Sequence, residues 1–310
     1  MNIVDIIDSQ TDINRLQEII QYHLQVLYDE VAKESYREQV YKFMLNHFDF
    51  GVNFEYFENP KVSIVISAKN NFAMTAALLH SIKRNTQDIE YEVIIADDNS
   101  NDKTTQIDDI FKNVKRIVNN TGHEGFIYNV NNAVSKARGE YILLINNDMI
   151  TFPDYLKELL NVIESDNSIG IAGSKTLNTD AECMECGVKL KKDGNIIFMG
   201  KQEPFDYMDN VNYIDCDYCS GCAILFRRDV FEKAGKFDTK FAPAYYEDSD
   251  FAFNLKHNFG LKSVCVPRSK IFHFRSMSYK NVAGISDIIE RNRIYFSQKW
   301  GKYITDSAAE

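Results

Sequence analysis

The sequence predicts an α/β domain built on a mostly parallel sheet. Three observations carry that prediction. From residue 60 onward, short β-branched runs that read as buried strands alternate with amphipathic helical segments. Gly, Pro, Asn and Asp punctuate the joins between them. Several strands end abruptly in Asp or Asn, the edge where open α/β sheets bind ligands.

The change of pattern falls at Asn59-Pro60. Upstream, "DINRLQEIIQYHLQVLYDEVAKESYREQVYKFMLNHF" places Leu16, Ile19, Ile20, Leu24, Leu27 and Val31 at three- and four-residue spacing with no Gly or Pro. Residues 1–58 therefore read as a helical N-terminal extension that packs on the main domain or on a partner. Downstream, "KVSIVISA" is a strand and "NNFAMTAALLHSIKRNT" an amphipathic helix. "YEVIIADDNS" is a strand that ends in acid and a turn, "KTTQIDDIFKN" a helix and "VKRIVNN" a short strand. "GFIYNVNNAVSKARG" is a helix with small residues on one face, followed by the strand "EYILLINNDM". "PDYLKELLNVIESD" is a helix opened by Pro153 and Asp154, and "SIGIAGS" another strand. Such alternation implies right-handed βαβ units. After residue 175 it breaks into short strands and turns, with Asp193-Gly194 as a hairpin turn in "VKLKKDGNIIFMGK". A helix, "DSDFAFNLKHNFG", closes at Gly260, and "KSVCVPRSKIFHF" is strand-like. The domain is expected over 59–275, with a C-terminal helical segment over 276–310 containing "SDIIERNRIYFSQKWGKYI".

Composition narrows the function. Hydrophobic residues at 45% and charged residues at 26% are ordinary for a chain with a sizeable core. The formal charge of -10 argues against nucleic-acid backbones and simple adhesion to anionic lipid, but not against a nucleotide whose charge a metal balances. No run approaches the roughly 18–20 apolar residues that span a bilayer. The N-terminus lacks a basic-then-apolar signal pattern, so a cytoplasmic chain is expected, with peripheral association at the inner membrane face compatible with it. Cys183 and Cys186 form C-x2-C, Cys216, Cys219 and Cys222 form C-x2-C-x2-C, and Cys265 stands apart. Two such pairs match a structural zinc site, but small buried hydrophobe is the commoner role of free cysteine, and reduced core thiols are the expectation.

The polar strand ends supply the candidate site. "EVIIADDNS" delivers Asp97 and Asp98, and "YILLINNDM" delivers Asn146, Asn147 and Asp148. Turn chemistry explains such residues equally well when each is taken alone. No G-x-G-x-x-G or Walker-type loop accompanies them, so a nucleotide here would be held by carboxylate, metal and backbone. Farther on, "YYEDSD" concentrates Glu247, Asp248 and Asp250 behind Tyr245 and Tyr246, either as a solvated acidic turn or as a general base beside an aromatic platform.

The ordered set "VSIVISAKNN", "EVIIADDNSNDKT", "NNTGHEGFIYNVNNAVSKARGEYILLINND", "CSGCAILFRRDVFEKAGKFD", "YYEDSDFAFNLKHNFG" and "IFHF" resembles glycosyltransferase family 2, in particular its rhamnosyl-, galactofuranosyl- and N-acetylhexosaminyl-transferase-like members, over about residues 60–275. The resemblance implies the GT-A nucleotide-sugar-binding fold and inverting, metal-dependent transfer from a UDP- or dTDP-sugar to a glycan, lipid-linked or protein acceptor. It implies that Asp98, with Asp97 beside it, reads the nucleobase, and that Asn131, Asn147, Ser220 and Gly221 lie on the donor side. The family's Asp-x-Asp motif falls on Asn146-Asn147-Asp148, with Asn at its first position. Asp148, Asn146 and His273 are the implied ligands of Mn2+ or Mg2+, and an imidazole favours Mn2+. Asp248 is the implied general base, with Tyr245, Tyr246, Glu247 and Asp250 on the acceptor side. Arg227 and Arg228 are either surface residues or phosphate contacts, and Asp238 is structural. Two other classes stay open: another nucleotide-binding α/β enzyme such as a nucleotidyltransferase, disfavoured by the missing Gly-rich loop, and a degenerate, non-catalytic glycan- or partner-binding module, which Asn146 favours.

Overall fold

The structure is a computed structural model that describes residues 51–120, 122–123, 125–178, 182–191, 196–274 and 284–304. Of the helical extension expected over residues 1–58, residues 1–50 lie outside the described residues, as does the turn at Asp193-Gly194, and residues 51–58 are not helical. The first half follows the predicted alternation. β1 (Val62–Ala68), α1 (Phe72–Asn85) and β2 (Tyr91–Asp97) come first. A 3-10 turn (Lys103–Gln106), α2 (Ile107–Ile110), β3 (Val114–Val118), α3 (Phe126–Val134) and β4 (Tyr141–Asn146) follow, then β5 (Met149–Thr151), α4 (Tyr155–Ser165) and β6 (Ile169–Leu177). Where one helix was expected over 103–113, a 3-10 turn passes into a single α turn. The α turn ends at Ile110 because Phe111 is extended and Asn113 is left-handed, while Asp102 caps the start. Asp102 Oδ1 accepts from Thr104 N, capping the turn, and its Oδ2 accepts from Phe72 N at the head of α1.

The second half holds β7 (Cys183–Glu185), β8 (Val188–Leu190), β9 (Ile196–Phe198), β10 (Ile214–Cys216), β11 (Ala223–Arg227) and α5 (Arg228–Lys233). A 3-10 turn (Thr239–Phe241), α6 (Glu247–Phe259), β12 (Lys262–His273) and α7 (Ile285–Ile304) complete it. The main sheet runs β10-β12-β6-β11-β4-β1-β2-β3, with β5 on β12 and β7 on β6. β1 to β4 are mutually parallel, and β6 and β12 share their direction. β11 runs antiparallel between β4 and β6, so the sheet is mixed about a parallel frame. β2 and β6 are buried at every position and β1 at all but one, which is why these strands read as continuous apolar runs rather than alternating ones.

α7 is held to the domain by one stripe. Asn292, Phe296, Trp300 and Ile304, at four-residue spacing, are its buried positions. Phe296 and Trp300 pack on Phe253 of α6. Asp250 of α6 accepts from Trp300 Nε1 at 2.7 Å and from Lys299 Nζ at 3.0 Å. Phe54, ahead of the expected boundary at residue 58, also belongs to the core: its N–H donates to Lys112 O at 3.0 Å, and its carbonyl accepts from Asn113 Nδ2 at 2.9 Å. All six cysteines are buried free thiols. Among the described residues no helix is long and apolar enough to cross a membrane.

Candidate active site

Six chain segments meet at one edge of the sheet. The parallel strands β1, β2, β4 and β12 end there, and the antiparallel β11 begins there, because Ala223 pairs with Ile145 near the end of β4. The head of α6 joins them, since Gly221 N, two residues before β11, donates to Asp248 Oδ2 at 3.0 Å. Topology thus brings Asp98, Asn146 to Asp148, Ser220, Gly221, Asp248 and His273 to a common margin.

On one side of this margin, Asp97 and Asp98 divide their work. Asp97 is fully buried, with Oδ2 taken by Arg116 Nε at 2.7 Å and Nη2 at 2.6 Å, and Oδ1 taken by Ser100 N at 2.9 Å. It braces the end of β2. Asp98 Oδ1 accepts from Asn119 Nδ2 at 2.7 Å, Gly125 N donates to Oδ2 at 3.0 Å, and Lys69 Nζ lies 3.5 Å from Oδ2. Gly125 has φ of 115°, and a Cβ there would stand 2.4 Å from Pro243 Cβ. The backbone that holds Asp98 is therefore in contact with the loop leading to "YYEDSD", a close approach only Gly permits.

At the end of β4, Asn147 Nδ2 donates to Asn70 O at 3.2 Å and Thr75 Oγ1 at 3.1 Å, tying this strand to the β1–α1 turn. Asp148, 5% exposed, presents Oδ1 3.5 Å from His273 Nε2, and its carbonyl accepts from Phe274 N at 3.0 Å. The pairing of β5 with β12, His273 opposite Met149, sets this register. Among the described residues no group of three or more His, Cys, Asp or Glu side chains is placed to hold a metal ion. The pair nonetheless fits a divalent ion that takes its remaining shell from phosphate and water. Adjacent ligands ~2.1 Å from such an ion lie about 3 Å apart, a small closure from the observed spacing.

Asp248 lies in the first turn of α6. Its Oδ2 accepts from Gly221 N, and its Oδ1 accepts from Ser249 N at 2.7 Å. Burial pushes its carboxyl up from the ordinary value, and these N–H donors pull against that. Glu247 beside it is pushed up to about 8, by burial first and by the Asp248 charge second. Its Oε2 is buried without a hydrogen-bond partner. Two acids side by side, with N–H donors on Asp248 and none on Glu247 Oε2, are an arrangement that can separate a proton acceptor from a protonated neighbour.

The other expected residues act at one remove. Tyr245 and Tyr246 are both left-handed, with φ of 75° and 73°. Tyr246 packs on Phe296 of α7. Asn131 exchanges hydrogen bonds with the Phe237 backbone, through Nδ2 to O at 2.9 Å and from N to Oδ1 at 3.1 Å. Asp250, expected on the acceptor side, spends its carboxylate on Lys299 and Trp300. Asp238 is structural: Oδ1 caps a turn at Lys240 N, and Oδ2 binds Tyr295 and Lys299. Arg227 donates to the carbonyls of Ile163 and Ile169, and Arg228 to that of Gly139, so their guanidinium groups serve backbone carbonyls away from this edge.

Two residues of the site carried no signal in the sequence. Glu185, in "CMEC", lies where the strand–helix alternation has already broken, yet both its oxygens meet Ser220, from N at 3.0 Å and from Oγ at a short contact. Asn292 sits on a helix more than forty residues beyond Asp248. Its Nδ2 donates to the carbonyls of Phe241, Ala244 and Tyr245 at 2.7, 3.0 and 2.9 Å.

Solved structures share this architecture. GalNAc-T7, crystallised with UDP, GalNAc and Mn2+, superposes with a TM-score of 0.64 at 16% identity, over 80% of this chain and 50% of that one. The mannosyltransferase PcManGT from Pyrobaculum calidifontis, in complex with GDP-Man and Mn2+, gives 0.53 at 18% identity over 95% of this chain and 77% of that one. The fold is the GT-A fold. The O-antigen biosynthesis protein RfbC of Myxococcus xanthus is 30% identical over 239 residues, 71% of this chain but 18% of that protein's length. The profile of Glycosyl transferase family 2 matches residues 63–235, more than half of the sequence, and the chain belongs to that family.

Proposed function

We propose that this chain is an inverting, divalent-cation-dependent glycosyltransferase. It moves a sugar from a UDP- or dTDP-sugar to a glycan, lipid-linked or protein acceptor in cell-surface glycan synthesis, acting in the cytoplasm. The observation that carries this reading is the meeting of Asp248, fixed by Gly221 N–H, with the Asp148–His273 pair at one sheet edge. The name of the O-antigen relative supports the surface-glycan setting.

In this reading Asp98 accepts the imide N–H of the pyrimidine, since a carboxylate has about four acceptor sites and its partners here leave capacity. Asp97, Asn131 and Asn147 hold the backbone around the donor. Asp148 and His273 would hold Mn2+ or Mg2+, with the Asn146 carbonyl ligating or ordering a water. When bound, the cation neutralises charge on the leaving diphosphate. Asp248 takes the proton of the acceptor hydroxyl as that oxygen attacks the anomeric carbon and the bond to diphosphate breaks on the opposite face. Glu247, Tyr245 and Tyr246 border the acceptor, and Asp250 anchors the helix that carries the base.

The test is a panel of nucleotide sugars assayed for nucleotide release with Mn2+ and with chelator, using Asp248→Ala as control. Release of UDP or dTDP from one donor, absent with chelator and in the variant, is the expected result, and an anomeric configuration opposite to the donor's marks inversion. No release from any donor, together with no nucleotide binding by calorimetry, would overturn the proposal in favour of a non-catalytic binding module.

A further inference from the structure

Resting on that reading of Asp248, we infer that Glu185 is the positioning residue of the catalytic base, acting through the Ser220–Gly221 turn. Two consecutive backbone N–H groups in this turn point at two different carboxylates. Ser220 N donates to Glu185 Oε1 at 3.0 Å, and Gly221 N donates to Asp248 Oδ2 at 3.0 Å. Ser220 Oγ adds a short hydrogen bond to Glu185 Oε2, so both oxygens of Glu185 are committed to one residue. That double attachment holds the Ser220 backbone N and side chain, the frame from which the Gly221 peptide departs. It thereby helps to set the direction of the Gly221 N–H.

Glu185 is itself rigidly mounted. It is 8% exposed and sits on β7, opposite Thr176 of β6. The adjacent Cys186 and Gly187 exchange backbone hydrogen bonds with Met199. Burial first, and then the charges of Glu185, Asp148 and Asp248, push the Cys222 thiol up from its ordinary value. Burying Glu185 costs stability, which the hydrogen bonds from Ser220 N and Oγ offset in part. The turn and the base stand close together, since a Cβ at Gly221 would lie 3.3 Å from Asp248 Cβ. Glu185, the turn and Asp248 therefore form a serial linkage in which β7 sets where the base stands. β7 joins the main sheet through β6, and the linkage ties it to the chemistry.

The experiment compares Glu185→Ala with Glu185→Gln by two readouts. Gln keeps an acceptor for Ser220 N and a polar partner for Ser220 Oγ, so the turn survives, whereas Ala removes both attachments. In the full chain labelled with [15N]glycine, the Gly221 amide signal is assigned through its response to Asp248→Asn. Glu185→Ala is expected to move that signal as Asp248→Asn does, and Glu185→Gln to leave it near its parental position. With the active donor, Glu185→Ala should lower kcat at least tenfold with donor KM within about threefold, and Glu185→Gln should restore most of kcat. A Gly221 signal unchanged in Glu185→Ala would overturn the linkage. So would equal kcat losses in both variants, which would mean that the charge and not the geometry matters. The amide readout needs no turnover, so a parent chain that releases no nucleotide defeats the transferase reading while the linkage is still decided.

Discussion

Replacing Asn292 by Ala should release the loop that leads to the base. Residues Tyr245 and Tyr246 are consecutive left-handed tyrosines, and such backbone costs of order 1–3 kcal/mol at each residue, or about 2–6 kcal/mol for the pair. Against this, Asn292 Nδ2 offers two hydrogens to three carbonyls at 2.7–3.0 Å, one of them shared. Each such bond contributes about 0.5–1.5 kcal/mol net, and buried groups left unpaired cost ~1–3 kcal/mol. The clamp and the strain are thus of equal size, and removing the clamp tips the loop toward relaxed backbone. The expected loss of stability is about 2–4 kcal/mol, a fall in Tm of roughly 4–8 °C for a domain of this length. Amide exchange at 241–246 should accelerate by at least tenfold, read by peptide-resolved hydrogen exchange, and kcat should fall by a similar factor. Asn292→Asp keeps the shape but turns a donor into an acceptor facing three carbonyls, so it should do at least as much harm. Unchanged exchange at 241–246 with Tm within 2 °C of the parent would refute the reasoning and leave Tyr246 held by its packing on Phe296.

Gly221→Ala should separate activity from stability. The new methyl meets Asp248 Cβ at 3.3 Å, so the base must retreat by a few tenths of an ångström. With ~1 Å of misplacement worth about a hundredfold, kcat should fall roughly 3- to 30-fold while Tm stays within about 2 °C, and a parental kcat would contradict the proposed geometry. Glu247→Gln should flatten the pH dependence of stability. The Glu247 carboxyl is raised from its ordinary 4.5 to about 8, so the folded chain keeps a proton that the unfolded chain releases. Stability therefore falls as pH rises across that window, by up to about 1.4 kcal/mol per unit, and levels off above it. In urea unfolding, the variant's stability relative to the parent should be greater at pH 8.5 than at pH 6; the same difference at both would mean that Glu247 is ionised throughout.

Local pattern was enough for the frame. The buried strands announce themselves as apolar runs because both faces of the sheet are covered, and their polar ends mark the edge of the candidate site. Asp98, Asp148, Asp248 and His273 were legible because each follows or opens an element of regular pattern, in an order that resembles one family. Their partners were not. Nothing in "CMEC" distinguishes Glu185 from a surface acid, and nothing in "IERNRI" distinguishes Asn292 from a solvated helix residue. Asp250 shows the converse, since beside Asp248 it looks like part of the same site until α7 brings Lys299 and Trp300 onto it. Asp97 likewise differs from Asp98 only because Arg116, on the neighbouring strand, reaches one of them. Periodicity and strand ends are properties of neighbours in the chain, so they are written in the sequence. Whether a carboxylate faces a guanidinium, an indole N–H or a turn depends on residues 19, 50 or 35 positions away, and only the packing of sheet, α6 and α7 brings those groups within hydrogen-bond reach.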